Sequence, residues 1–200
     1  TIILVVEIVF IIFAGFNYVD VFARSFNFNQ IGSGLIFITV LLLLLNIIQI
    51  PFSAYNTFVI KEKYGFNKTT VKTFVLDIIK SFVLTLVIGL PVFALIIWFF
   101  IKFSNYAWLY VAVSVMLIEL LITFIAPVFI MPLFNKYTPL EDGELKTELE
   151  KYAKEQNFKM KGLYKMDGSK RSTKSNAFFT GFGKFRRIVL FDTLIQKHTV

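Results

Sequence analysis

The residues most able to do chemistry sit where a lipid-facing helix would not tolerate them. Glu7, Asp77 and Glu119 each lie inside a long apolar run. An ionised carboxylate at mid-bilayer costs roughly 3 kcal/mol or more, so such groups face protein or water. Asn46, Gln49, Ser53 and Asn56 follow one another at +3, +4 and +3, a spacing that puts all four on one helical face. Asp77, Ser81, Thr85 and Gly89 step by four along another face, and Glu119 pairs the same way with Thr123. One reading is hydrogen bonding between helices, worth about 0.6 kcal/mol per bond. The other is a water-filled chamber lined by Asn46, Gln49, Ser53, Asn56, Asp77 and Glu119, and the carboxylates favour it. Pro51 lies within the first row and frees the Ile47 carbonyl, which needs a new partner in lipid.

A second constellation is basic and aromatic: Lys170, Arg171, Lys174, Arg186 and Arg187 close to Phe178 and Phe179. Such interleaving can bind single-stranded nucleic acid. Beside a membrane the commoner role is attraction to anionic lipid, about 1 kcal/mol per basic residue, so membrane lipid is the expected partner and nucleic acid is not. The chain has no Cys, hence no disulfide and no thiolate metal site. Its single His, His198, has no Glu beside it and reads as a solvated residue. No catalytic residue and no metal ligand is therefore assigned in this chain.

Composition shows what must position these groups. Apolar residues make up 56% and charged residues 17% of the 200, against about 25% charged in soluble domains. Disordered, collagen-like and ordinary cytosolic classes are excluded. Residues 1–134 carry 7 basic and 5 acidic side chains, and residues 135–200 carry 14 and 8. The predicted organisation is a polytopic helical membrane region, 1–134, followed by a small α+β portion, 135–200. Apolar segments at about 1–16, 35–60, 76–101 and 108–134 meet or approach the roughly 20 residues of a membrane span. The chain begins at Thr1 within an apolar run, unlike a signal peptide, and reads as a piece of a larger protein. Lys61, Lys63, Lys68, Lys72 and the basic C-terminal portion fall on one side by parity. The positive-inside rule makes that side cytoplasmic. Trp98, Tyr106, Trp108 and Tyr110 suit an aromatic belt at the opposite interface.

In the C-terminal portion, Thr138-Pro139-Leu140-Glu141 carries the signals of a helix start and capping box, predicting a helix from there to about Asn157. Residues 163–166 read as a strand ended by Asp167-Gly168. A strand at 176–180, a turn at 181–184 and a strand at 186–191 read as a hairpin. Asp192 is placed to start another helix.

Two stretches carry a family likeness: NTFVIKEKYGFNK at 56–68 and SKRSTKSNAFFTGFGKFRRIVLFDTLI at 169–195, with Ala126-Pro127 and Pro132-Leu133-Phe134-Asn135-Lys136 between them. In this order they resemble the type I CAAX prenyl proteases, membrane zinc metallopeptidases of the gluzincin kind. The resemblance implies seven membrane helices around a water-filled chamber, a cytoplasmic zinc-protease domain, and removal of the last three residues of prenylated CAAX proteins. The Phe, Ile, Lys and Asn bias suits AT-rich coding in bacteria and eukaryotes alike, so the membrane is a bacterial inner membrane or the endoplasmic reticulum. The resemblance also implies that Asn176, Ala177, Phe178 and Phe179 form an edge strand that pairs with the substrate backbone by strand addition. The loop holding Glu62, Tyr64, Gly65, Phe66 and Asn67 is either a plain helix connection or a brace for the protease domain.

The chain departs from the family in lacking H-E-x-x-H, whose two His hold zinc on one helix face while Glu serves as base. Zinc is thus expected in the complete protein and not on this chain, which alone is expected to be inactive. A non-catalytic scaffold or inactive relative, and a transporter-like chamber, are the alternatives that the polar faces also suit.

Overall fold

The computed structural model describes residues 2–181 and 186–197, the side chains at 2, 3 and 7 excepted. Glu7's carboxylate, most of the 181–184 turn and His198 therefore lie outside the described residues. The chain forms two compact units, Thr1–Ser53 with Ser81–Val115, and Ala54–Lys80 with Met116–Val200.

The first unit is helical. Helix α1 (Ile2–Ile12) gives way at Ala14, φ 52°, to α2 (Gly15–Arg24), bent from it by 67°. The segment expected to be one span at 1–16 is thus a bent pair running on to Arg24. Phe10 lies against Gly15, where any Cβ would meet its ring, and packs edge-to-face on Phe16. Helix α3 (Gln30–Tyr55) starts ahead of the apolar run because Asn29 Oδ1 accepts the Gly32 N–H at 2.8 Å, the usual N-cap arrangement. Gly34 lets Ile97 of α5 (Val71–Phe103) approach closely, as small residues do between membrane helices. After α5 the chain turns at Ser104, φ 40°, into α6 (Ala107–Ile125). Tyr110 then stacks on Phe99 and lies tilted against Phe103, at 5.6 and 4.5 Å between centroids. A straight helix would hold Phe99 and Tyr110 about 16 Å apart at 1.5 Å per residue, so the helix is broken here.

Among the described residues, Gln30–Lys63 and Val71–Phe134 are long and apolar enough to cross a membrane. The second covers 64 residues and is interrupted by the turn at Ser104–Tyr106.

The second unit joins helix ends to a sheet. The α3 helix runs through a π-helical segment, Asn56–Ile60, into α4 (Lys61–Lys63). The α6 helix runs through Ala126–Ile130, also π-helical, into α7 (Met131–Phe134). Pro127 and Pro132 lie in this last stretch and withhold backbone donors. Lys80 Nζ donates to the Leu133 carbonyl at 2.9 Å, tying α5 to α7.

The sheet has four strands: β1 (Tyr137–Pro139), β2 (Gly162–Met166), β3 (Ala177–Thr180) and β4 (Arg187–Phe191), in the order β1-β2-β4-β3. Only β2 and β4 run parallel. Leu140, Leu163 and Leu190 form the buried core, with Leu145 and Leu149 of α8 (Glu144–Glu155) and Leu194 and Ile195 of α9 (Asp192–Lys197) packed on it.

One local expectation is corrected. Thr138 and Pro139 do not open a helix. They pair with Lys165 and Tyr164 as strand β1, and α8 begins at Glu144. The capping signal loses because extended backbone buries Leu140, lets its N–H reach the Leu163 carbonyl, and sets Glu141 Oε1 2.6 Å from Lys165 Nζ.

Candidate functional site

The candidate site is the outer edge of the sheet. Strand β3 pairs with β4 alone, in the register Ala177↔Leu190 through Thr180↔Arg187. Phe191 N–H donates to the Asn176 carbonyl at 3.0 Å, so residue 176 faces 191 as a hydrogen-bonded pair. Antiparallel pairs alternate. Phe178 therefore spends its N–H and C=O on β4, while those of Ala177 and Phe179 point away from the sheet. Asn176 Oδ1 accepts the Ala177 N–H at 2.9 Å, covering one outward donor with a side chain that a competing strand can displace. Among the described residues nothing else pairs along this edge.

The side chains of β3 alternate as the pleat demands. Phe178 packs edge-to-face on Phe191, and Phe179, 69% exposed, leans on Phe158. Beside Phe179 an apolar groove of about 360 Å³ is lined by Leu149, Tyr152, Phe158 and Ile188. Sequence alone did not show this groove, because it forms between α8 and a strand more than twenty residues further on.

The segment leading into β3 is held from two sides. On one, the turn at 64–69 docks against residues 171–173. Gly65 takes φ 69°, Lys68 N–H and Thr69 Oγ1 donate to the Arg171 carbonyl at 3.1 and 3.2 Å, and Thr173 donates from N and Oγ1 to the carbonyls of Phe66 and Gly65. Asn67 shapes the turn by bonding Glu62 Oε2 and accepting the Thr69 N–H, and Lys174 Nζ sits 4.5 Å over the Phe66 ring. Arg171 also reaches Asp77, with Nε to Oδ2 at 2.8 Å and Nη2 to Oδ1 at 2.9 Å. On the other side, Thr193 Oγ1 donates to the Lys174 carbonyl, Ser175 Oγ to the Thr193 carbonyl and Lys197 Nζ to the Thr173 carbonyl. Upstream, Asp192 receives Ser169 through both its N–H and its hydroxyl, and Asp167 Oδ1 receives the Lys136 N–H at 2.7 Å.

The polar-face residues divide between the units. Asn46, Gln49 and Ser53 belong to the first, and Asn56, Asp77 and Glu119 to the second. Asn46 Nδ2 donates to the Leu42 carbonyl one turn back. Gln49, Ser53, Asn56 and Glu119 are exposed. Thr85 and Thr123 return their hydroxyls to Ser81 and Glu119 of their own helices, so these bonds do not join helices. Asp77 is the one member whose partner comes from the sheet-bearing segment. That partner was legible only as one cation of a basic loop.

Among the described residues no group of three or more Asp, Glu or His side chains could hold a metal ion.

Long apolar helices together with a small α+β unit mark the chain as part of an integral membrane protein. The chain matches the family described as "CAAX prenyl protease N-terminal, five membrane helices" over residues 1–136, and peptidase family M48 over residues 139–199. It belongs to the CAAX prenyl protease family. It is 44% identical to CAAX prenyl protease 1 of Saccharomyces cerevisiae over 86% of this chain and 38% of that one, and 42% identical to the human CAAX prenyl protease 1 homolog over 86% and 36%. Its structure superposes on the crystal structure of S. mikatae Ste24p with a TM-score of 0.90 at 41% identity, over 97% of this chain and 47% of that one. The chain therefore spans less than half the length of these relatives.

Proposed function

We propose that this chain is the membrane region and substrate-holding front of a zinc endopeptidase that removes the last three residues of prenylated CAAX proteins. The observation that carries this reading is the open β3 edge, with the main-chain groups of Ala177 and Phe179 turned outward. An extended peptide adding there gains ladder hydrogen bonds irrespective of its side chains, as a protease with varied substrates requires. Asn176 lies at the entrance to that edge, where its amide can exchange the Ala177 N–H for substrate backbone. Phe178 supports the strand from the other side.

Residues 1–134 form the membrane portion in this reading and 135–200 the protease portion, on the cytoplasmic side of a bacterial inner membrane or the endoplasmic reticulum. The polar faces, Asn46, Gln49 and Ser53 in one unit and Asn56, Asp77 and Glu119 in the other, are proposed to meet the prenylated substrate in the whole protein. Zinc is the cofactor of the whole protein, bound by side chains outside those described.

The strand geometry sharpens the experiment. Phe178→Pro would break the ladder to β4 and damage the sheet. Phe179→Pro removes only an outward N–H, which proline tolerates on an edge, and Phe179→Ala controls for the lost ring. In the whole protein, Phe179→Pro should lower kcat/KM on a prenylated CAAX peptide at least tenfold below Phe179→Ala, with zinc content and melting temperature retained. Equal activity in the two variants would remove the edge strand from substrate binding.

A further inference from the structure

The segment 171–176, which enters the substrate edge from its N-terminal end, is not anchored by the sheet alone. Its backbone and side chains bond Thr193 and Lys197 on one side, and on the other the 64–69 turn and the first turns of α5. The α5 side is made by Asp77, whose carboxylate receives two parallel bonds from Arg171. Both side chains are about three-quarters buried, at 24% and 23% exposed. Arg171 Nη1 is buried with no hydrogen-bond partner among the described residues, so the guanidinium is neutralised and held through Asp77. A bidentate pair fixes angle as well as distance. Five residues separate Arg171 from Ala177, and the carbonyls of Arg171, Thr173, Lys174 and Asn176 are all bonded.

We infer that Asp77 and Arg171 are positioning residues for substrate: through the tethered segment 171–176, their ion pair sets the placement of the Ala177–Phe179 edge relative to the first turns of α5. Neither residue touches the substrate. This rests on the reading of β3 as the substrate edge. It assigns to the chamber-face carboxylate Asp77 a specific task, which is to carry the position of a membrane helix into the strand that receives the peptide. A loosened segment leaves the sheet formed but lets the edge sample misaligned positions, so binding is weakened while turnover of correctly bound substrate persists.

The test uses the whole protein in detergent or nanodiscs, with Asp77→Asn, Arg171→Gln and the double variant. Thr173→Val loosens the same segment more gently, should either charge variant fail to fold. Kinetics on a prenylated CAAX peptide should show KM raised at least threefold with kcat within twofold, the double variant no worse than the singles, and Asp77→Glu close to wild type. Amide exchange across 176–180 should quicken at least tenfold, while 162–166 stays protected. Unchanged KM and exchange, or effects that add in the double variant, would overturn the inference. If Phe179→Pro cleaves as well as Phe179→Ala, the substrate-edge reading fails by itself. Exchange at 176–180 in Asp77→Asn then still decides whether the pair holds the strand: quickened exchange sustains that tether, and unchanged exchange ends it.

Discussion

Arg171 meets both carboxylate oxygens of Asp77, at 2.8 and 2.9 Å, across 94 residues of sequence. The pair ties the start of a membrane helix to the loop that leads into an edge strand. Removing one partner of a fully buried pair costs about 3–5 kcal/mol, and partial exposure lowers that. Asp77→Asn and Arg171→Gln are each expected to destabilise the protein by about 1–3 kcal/mol. Arg171→Lys should recover only part, since an ammonium cannot make the two parallel bonds. Thermal melts in detergent, read as a double-mutant cycle, give the coupling.

Two glycines of this region are expected to respond differently to alanine. Gly65 has φ 69° and open space where a Cβ would lie, so Gly65→Ala costs only backbone strain, about 1 kcal/mol. Gly168 is buried against Phe191, and a Cβ there would run into the ring. Phe191 cannot retreat, because it belongs to β4 and packs on Phe178. Gly168→Ala should cost more, about 1–3 kcal/mol. Denaturation midpoints of the two variants, side by side, check the order.

The core of the sheet gives a larger effect. Leu163 is 4% exposed and packs with Leu140 and Leu190. Leu163→Ala should destabilise by about 2–5 kcal/mol. A melting temperature within a degree of wild type would show that this cluster does not support the fold.

Alkaline stability should depend on Tyr137. Burial, and then the neighbouring Asp167 carboxylate, push its phenol above the usual tyrosine value. The folded state thus favours the neutral form. The stabilisation is complete below about pH 10, the unfolded value, and is lost as pH rises through the folded one. Tyr137→Phe should flatten the decline in melting temperature between pH 9 and 11 by removing this titration. An unaltered slope would assign the decline to other groups.

The residues from 135 onward show how far local pattern reaches. The strands at 162–166 and 187–191 and the helix at Asp192 follow from β-forming runs and a capping aspartate. Thr138-Pro139-Leu140-Glu141 carries equally good local signals and is read wrongly, because its backbone partner is Leu163 and its charge partner Lys165. Capping is worth about 1 kcal/mol, less than the buried Leu140 and ladder that replace it.

Sequence by itself determined the membrane class, since apolar runs near the span length have few other uses and are read without knowing any contact. The family motifs, the SNAFFT strand and the polar faces were also visible as local strings. Only the tertiary structure decided that β3 lies at the edge of the order β1-β2-β4-β3, that Ala177 and Phe179 and not Phe178 turn their main chain outward, and that the G-F-N turn and Asp77 grip the loop before it. Periodicity is carried by neighbours along the chain, whereas strand order, hydrogen-bond phase and ion pairing depend on residues brought together from far apart, whose choice of partner rests on the packing of the whole unit.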